Sequence, residues 1–251
     1  MKRIGALIIS AIFVLMAALL GWFLPIASFR VIDDVNEGKQ HDLDIDRVNL
    51  SYRDDLSIGQ KITILTSNSE YDYVDYIELE KGIYLQEEDV AKIMQDFLTD
   101  FTGRIYELDD GKIYSCDPVL VNFSGNRGMI VIWFADVELG NGWNVQFCVD
   151  DKTGAILYTY FSGYYTDWDE LIEGYRDFSD PCDGICERYL NAIYNNLSSK
   201  ADVKFITYHL LQSYTDEYFS SYRLIFRDER DDTFNITLHL YVDDKYLDTN
   251  G

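Results

Sequence analysis

Met1-Lys2-Arg3 is followed by an uncharged run from Ile4 to Phe29, and nothing else in the chain constrains its fold as strongly. A helix of about 20 apolar residues crosses a bilayer. Ile8, Ile9, Phe13, Leu15, Leu19 and Leu20 contribute to such a helix, Trp22 and Phe23 lie near its far end, and Pro25 can stop it. Lys2 and Arg3 favour a cytoplasmic N-terminus. Residues 1–29 therefore predict a single transmembrane anchor, a signal-anchor that leaves the rest of the chain outside the cell. A cleaved signal peptide is the alternative, with Pro25-Ile26-Ala27-Ser28 at the cleavage site. Its apolar core should span only about 7–15 residues. A buried core helix is a third reading.

Charge narrows the partners. Lys2, Arg3 and Arg30 are the only charges up to residue 30, so the remainder holds 18 bases against 44 acids, a net −26. A field of that sign repels phosphate backbones and anionic headgroups, which excludes nucleic acid as a partner. Aromatics at 15% of the chain are too many for a disordered segment, so a folded body is expected.

Residues 30–70 form an acidic juxtamembrane linker, with a short helix predicted over Leu56 to Leu65. A short strand follows at Asp75–Glu80. The clearest helix runs from Leu85 to Gly103. Glu87, Glu88 and Asp89 load its first turn, where the helix dipole favours acids. Val90, Ile93, Met94, Phe97, Leu98 and Phe101 recur at helical spacing. Strands are then expected at Val119–Phe123, Met129–Leu139, Trp143–Val149 and Ala155–Phe161, with a hairpin at Gly140-Asn141-Gly142. A second helix starts after Ser179-Asp180-Pro181, with Pro181 suited to its first turn. Strands at Val203–Ser213, Tyr218–Arg227 and Phe234–Val242 close the chain. Trp168 to Phe178 is a linker or an extra helical turn.

Val149-Asp-Asp-Lys152 recurs as Val242-Asp-Asp-Lys245, an offset of 93 that also lays Glu88 on Pro181 at the starts of the two helices. Such self-similarity predicts two tandem helix-plus-antiparallel-meander units, at 71–165 and 166–251, and an α+β fold class. From Asn144 to Leu157, an alternating strand, the Asp150-x-x-Thr153-Gly154 turn and a short apolar strand follow one another. With the helix carrying Glu87, Glu88 and Val90, this resembles a PepSY-type, cystatin-like domain over about residues 83–161, and faintly over 180–245, where Thr-Gly is missing. The resemblance implies a non-catalytic inhibitory, regulatory or protein-binding module outside the membrane, in the manner of anchored proteins beside envelope signalling systems of Gram-positive bacteria.

Motifs for chemistry are absent. His41, His209 and His239 form no ligand pair, and there is no P-loop, dinucleotide fingerprint or nucleophile elbow. The acidic pairs Asp33-Asp34, Asp54-Asp55, Asp109-Asp110, Asp150-Asp151, Asp231-Asp232 and Asp243-Asp244 fall in linkers or turns, where carboxylates are usually solvated rather than held at separated pKa values. Asp33-x-x-Asn36-x-Gly38 lacks the twelfth-position Glu of a calcium loop. No cofactor and no metal site are expected.

Four cysteines, Cys116, Cys148, Cys182 and Cys186, permit two disulfides. Cys116 and Cys148 lie in or beside strands of one sheet. Cys182 and Cys186 need an irregular Asp183-Gly184 turn to meet. Free buried thiols, or a shared metal, are the alternatives. Tyr158, Tyr160, Tyr164, Tyr165 and Trp168 gather near predicted strand ends and make a candidate binding surface, since exposed aromatics mark interfaces. Covering the edges of the core is the competing role for them. The function expected is a non-enzymatic extracytoplasmic module that binds or regulates an envelope protein, its partners being the membrane and that protein. A cell-wall enzyme using scattered Asp and Glu, and a structural spacer, are the rivals.

Overall fold

The computed structural model describes residues 54–66, 74–105, 113–123, 128–140, 142–163, 167–214, 219–242 and 244–250. All of them belong to one unit, Tyr52–Gly251. In chain order the elements are α1 (Ile58–Thr66), β1 (Val74–Glu78), α2 (Glu87–Thr102), β2 (Ile113–Phe123), β3 (Gly128–Glu138), β4 (Asn144–Asp150) and β5 (Ile156–Ser162). They continue with α3 (Trp168–Leu171), a 3-10 turn (Tyr175–Asp177), α4 (Pro181–Ala201), β6 (Lys204–Tyr214), β7 (Phe219–Arg227), β8 (Thr233–Tyr241) and β9 (Tyr246–Asn250).

Local signals set the two long helices. Asp89 accepts the Gln86 amide at 3.0 Å at the start of α2, and Gly103, at φ 76°, ends it by donating to Thr99 O. Asp180 caps α4 by accepting from Asp183 N, with Pro181 in its first turn. Both helices bury their apolar stripes on the same face of the sheet. Phe97 and Phe101 lie 5.8 and 5.9 Å from the Tyr189 ring of α4, while Phe97 meets Phe147 of β4 and Phe101 meets Phe161 of β5. Each such fully buried aromatic contributes roughly 1.5–3 kcal/mol of transfer free energy.

The sheet corrects the expected architecture. A helix followed by four strands does occur twice in chain order, yet the strands do not form two α+β units of PepSY type. All nine are hydrogen-bonded into one antiparallel sheet, in the order β1-β2-β3-β4-β5-β9-β8-β7-β6. The cause is the seam between β5 and β9, where Tyr160, Phe161 and Ser162 pair with Asp248, Leu247 and Tyr246. Two strands that would otherwise be exposed edges satisfy each other's backbone groups, and the two helices then share one core. α1 packs against β5 and β8, the strands that flank the short β9.

The anchor reading also finds no support. Among the described residues no helix is long and apolar enough to cross a membrane. The run Ile4–Phe29, the linker to residue 53, His41 and the pairs Asp33-Asp34 and Asp109-Asp110 lie outside the described residues, as do Asn141, Tyr164, Tyr165 and Asp243.

Candidate functional site

Tyr158 and Tyr160 alternate along β5 with Thr159 and Phe161, which point at α4 and α2. Successive strand residues face opposite sides, so the two tyrosines look away from the long helices. Their neighbours come from the other half of the sheet. Asp248 pairs with Tyr160 on one side and with His239 on the other, Tyr246 pairs with Tyr241, and Tyr241 pairs with Phe219. The result is a run of rings across four strands: Tyr160–Tyr246 at 5.1 Å, Tyr246–Tyr241 at 5.2 Å, Tyr241–Phe219 at 4.6 Å and Phe219–His239 at 6.3 Å. Every one of these side chains is half-buried.

Asp248 sits inside this run. Tyr246 Oη donates to its Oδ2 at 3.3 Å, and Tyr158 also hydrogen-bonds to the carboxylate. Burial first, and then the Asp248 charge, push the phenols of Tyr158 and Tyr246 well above the ordinary tyrosine range. Both stay protonated and keep donating. The arrangement offers an anion ringed by π faces, which attracts a cation through charge and quadrupole together.

Of the residues expected at this surface, Tyr158 and Tyr160 are there. Trp168 is not: it is 2% exposed, lies 4.6 Å from Trp143 and donates Nε1–H to Val242 O at 2.9 Å, as a core residue. The sequence reading missed Tyr241, Tyr246, Phe219, His239 and Asp248. The signal for β9, the alternation Tyr246-Leu247-Asp248-Thr249, was present but short.

The Asp150-Asp151 pair overturns the expectation of solvated turn carboxylates, since both are 0% exposed. Asp150 accepts from Lys61 Nζ at 2.7 Å, from Thr153 N at 3.0 Å and from Thr153 Oγ1 at 2.7 Å. Lys61, itself buried, also holds Asp54 at 2.5 Å. Asp151 accepts four donors: the amides of Ile83, Tyr84 and Leu85, and Trp133 Nε1–H. A Cβ on Gly82 would stand 2.4 Å from Asp151 Oδ1 and 2.6 Å from the Trp133 ring, so only glycine lets that loop approach. Gly154 takes the positive φ, 78°, that closes the turn. Asp54 and Asp150 therefore share one lysine. This node ties α1, the loop before α2 and the β4–β5 turn into one body.

The sequence left disulfides, buried thiols and a shared metal open, and no disulfide is formed among the described residues. Cys116 pairs with Ala135 and Cys148 with Phe134, adjacent residues of β3. The two thiols thus project from opposite faces with a strand between them. Cys182 and Cys186 lie in regular α4 without the irregular turn a bridge needs. Burial, and then Glu87 and Asp117, raise Cys116 to about 12, while burial drives Cys148 and Cys186 still higher. No cluster of His, Cys, Asp and Glu able to hold a metal ion occurs among the described residues. No family model, no curated protein and no solved structure matches the chain.

Proposed function

We propose that this chain is a non-enzymatic binding module that recognises a basic segment of an envelope protein through the aromatic face around Asp248. The observation that carries the proposal is the run of five rings, from Tyr160 to His239, enclosing one carboxylate whose tyrosine neighbours stay protonated. Tyrosine gives large contact area at small entropic cost, which is why it gathers at recognition surfaces. A lysine or arginine inserted there meets π faces and an anion together. The −23 net charge steers basic partners toward the molecule and repels acidic ones. The extracytoplasmic setting is part of the proposal and is motivated by the basic and then apolar N-terminal sequence.

The test is a nuclear magnetic resonance titration of the purified full chain with a lysine-rich peptide, with the tyrosine ring signals assigned. Shifts concentrated on Tyr158, Tyr160, Tyr241 and Tyr246 are expected, with none from a glutamate-rich control. Shifts scattered over the acidic surface would mean non-specific charge attraction and would end the proposal.

A further inference from the structure

Lys61, Asp54 and Asp150 form an uneven set of buried charges. One ammonium meets two carboxylates: Nζ lies 2.5 Å from Asp54 Oδ2 and 2.7 Å from Asp150 Oδ1, and the three side chains are 1%, 2% and 0% exposed. The neighbours are apolar. Ile58 and Ile62 flank Lys61 in α1, Ile132 lies opposite Asp150 in the sheet, and all three are buried. Taking ions out of water is costly, and one cation cannot neutralise two anions. Such a site does, however, hold an amine against a carboxyl group with little water to compete.

The two carboxylates are held differently. Asp150 is fixed at both oxygens: Oδ1 accepts from Lys61, and Oδ2 accepts from Thr153 N and Thr153 Oγ1. Asp54 meets Lys61 through Oδ2, while its Oδ1 is buried without a hydrogen-bond partner among the described residues. An unsatisfied oxygen costs more on a charged group than on a neutral one. Neutralising Asp54 therefore relieves the site, whereas Asp150 is already anchored beside the nitrogen.

We propose that Lys61 and Asp54 condense to an amide, a covalent staple between their side chains, with Asp150 relaying the proton. One proton of the Nζ ammonium passes to Asp54 Oδ2, so that an amine faces a carboxylic acid. Nζ attacks Cγ, and the N–C bond forms. Asp150 takes the proton that the nitrogen must then shed and returns it to the Oδ2 hydroxyl, which is general base and then general acid catalysis. The Cγ–Oδ2 bond breaks and water leaves. Both oxygens contact the same Nζ, so the relay is short. An ammonium and a carboxylate are consumed, and an amide and one water are formed, with no oxidant or reductant. Oδ1 becomes a neutral amide oxygen, and Asp150 ends as the carboxylate it began as, now accepting from the new amide N–H. A cavity of about 440 Å³ that Leu56, Ile58, Lys61 and Lys152 help to line gives the water a way out. The bond fastens α1 to the start of the unit Tyr52–Gly251.

Tryptic peptide mapping of the purified, denatured full chain tests this. Acylated Lys61 is no longer a trypsin site. The chain is therefore expected to be cut at Arg53 and next at Lys81, giving one peptide, Asp54–Lys81, lighter than its sequence by one water. Fragmentation should join Asp54 to Lys61. Asp150→Asn, with circular dichroism confirming the fold, is expected to lose that peptide and to be cut at Lys61 instead; a folded variant that still forms it overturns the part given to Asp150. In the native chain, full-mass peptides, cut or uncut at Lys61, overturn the proposal. So does a dehydrated peptide that is still cut at Lys61, which marks a cyclic imide within the backbone. A bond from Lys61 to the peptide containing Asp150 overturns the choice of acid.

Discussion

Asp248 of β9 stands directly opposite Tyr160 of β5, in the short seam that joins the two halves of the sheet. The same pairing that closes the fold therefore places a carboxylate among rings drawn from four strands. Removing the contact area there should leave the core intact, because Tyr160 and Tyr246 point away from the helices. Replacing both by alanine is expected to change stability by less than about 2 kcal/mol, within the range for partly exposed positions, and to abolish peptide binding. Urea unfolding run alongside binding checks both outcomes.

Lys61 lies between Asp54 and Asp150 with almost no solvent contact. Its removal leaves two buried carboxylates without their cation. Lys61→Met is expected to cost about 3–5 kcal/mol, the range for breaking a buried ion pair, measured by urea denaturation. A loss below about 1 kcal/mol, the level of an exposed pair, would show that the node is solvated.

Asp151 is the acceptor for three successive amides and for Trp133 Nε1–H. Asp151→Ala strands those donors in the interior, where each unsatisfied group costs about 1–3 kcal/mol. The variant should fold poorly or lose more than about 3 kcal/mol. Asp151→Asn, which keeps one acceptor oxygen, should fall in between. Trp133 fluorescence reports the change locally.

Stability should fall at alkaline pH. Tyr158, Tyr189, Tyr222 and Tyr246 have folded pKa values raised above the unfolded value of 10.0, chiefly by burial, and Cys116 is raised from 9.0 to about 12. Between the unfolded and folded values the native state holds more protons than the unfolded chain, so ΔG of unfolding declines as pH rises. Their contribution is complete below about pH 9 and is lost progressively above it. Thermal melts from pH 7 to 11 are expected to show a flat region and then a decline. A melting temperature that rises with pH in that range contradicts the assignment.

The raised thiols predict slow chemistry. The thiolate is the reactive form, and three of the four cysteines are buried. A disulfide reagent at pH 8 should find no fast-reacting thiol in the native chain and four in denaturant. Fewer than four under denaturing, non-reducing conditions would reveal a bridge.

Much of the local structure was written in short-range pattern. The stripe from Val90 to Phe101 with Gly103 at its end defines α2, and Asp180-Pro181 opens α4, because caps and periodicity act within one element. What pattern did not show is set by partners distant in sequence. Asp150 and Asp151 look like turn residues until Lys61 and the amides of residues 83–85 arrive from another part of the chain. Trp168 looks like surface until Trp143 packs against it. β9 is too short for its alternation to stand out, and without β9 the tyrosines of β5 and β8 have no common neighbour. That omission led to two separate units being expected where one sheet forms, and it hid half of the aromatic face.

Titration calorimetry of the full chain against a lysine-rich peptide, comparing the native sequence with Asp248→Asn, tests the central claim most directly. The substitution keeps the shape and the surrounding rings while removing one charge. Binding is expected to weaken by about tenfold or more, the loss of one desolvated charge contact. Equal affinity for the two proteins would contradict the assignment of Asp248 as the group that receives the cation.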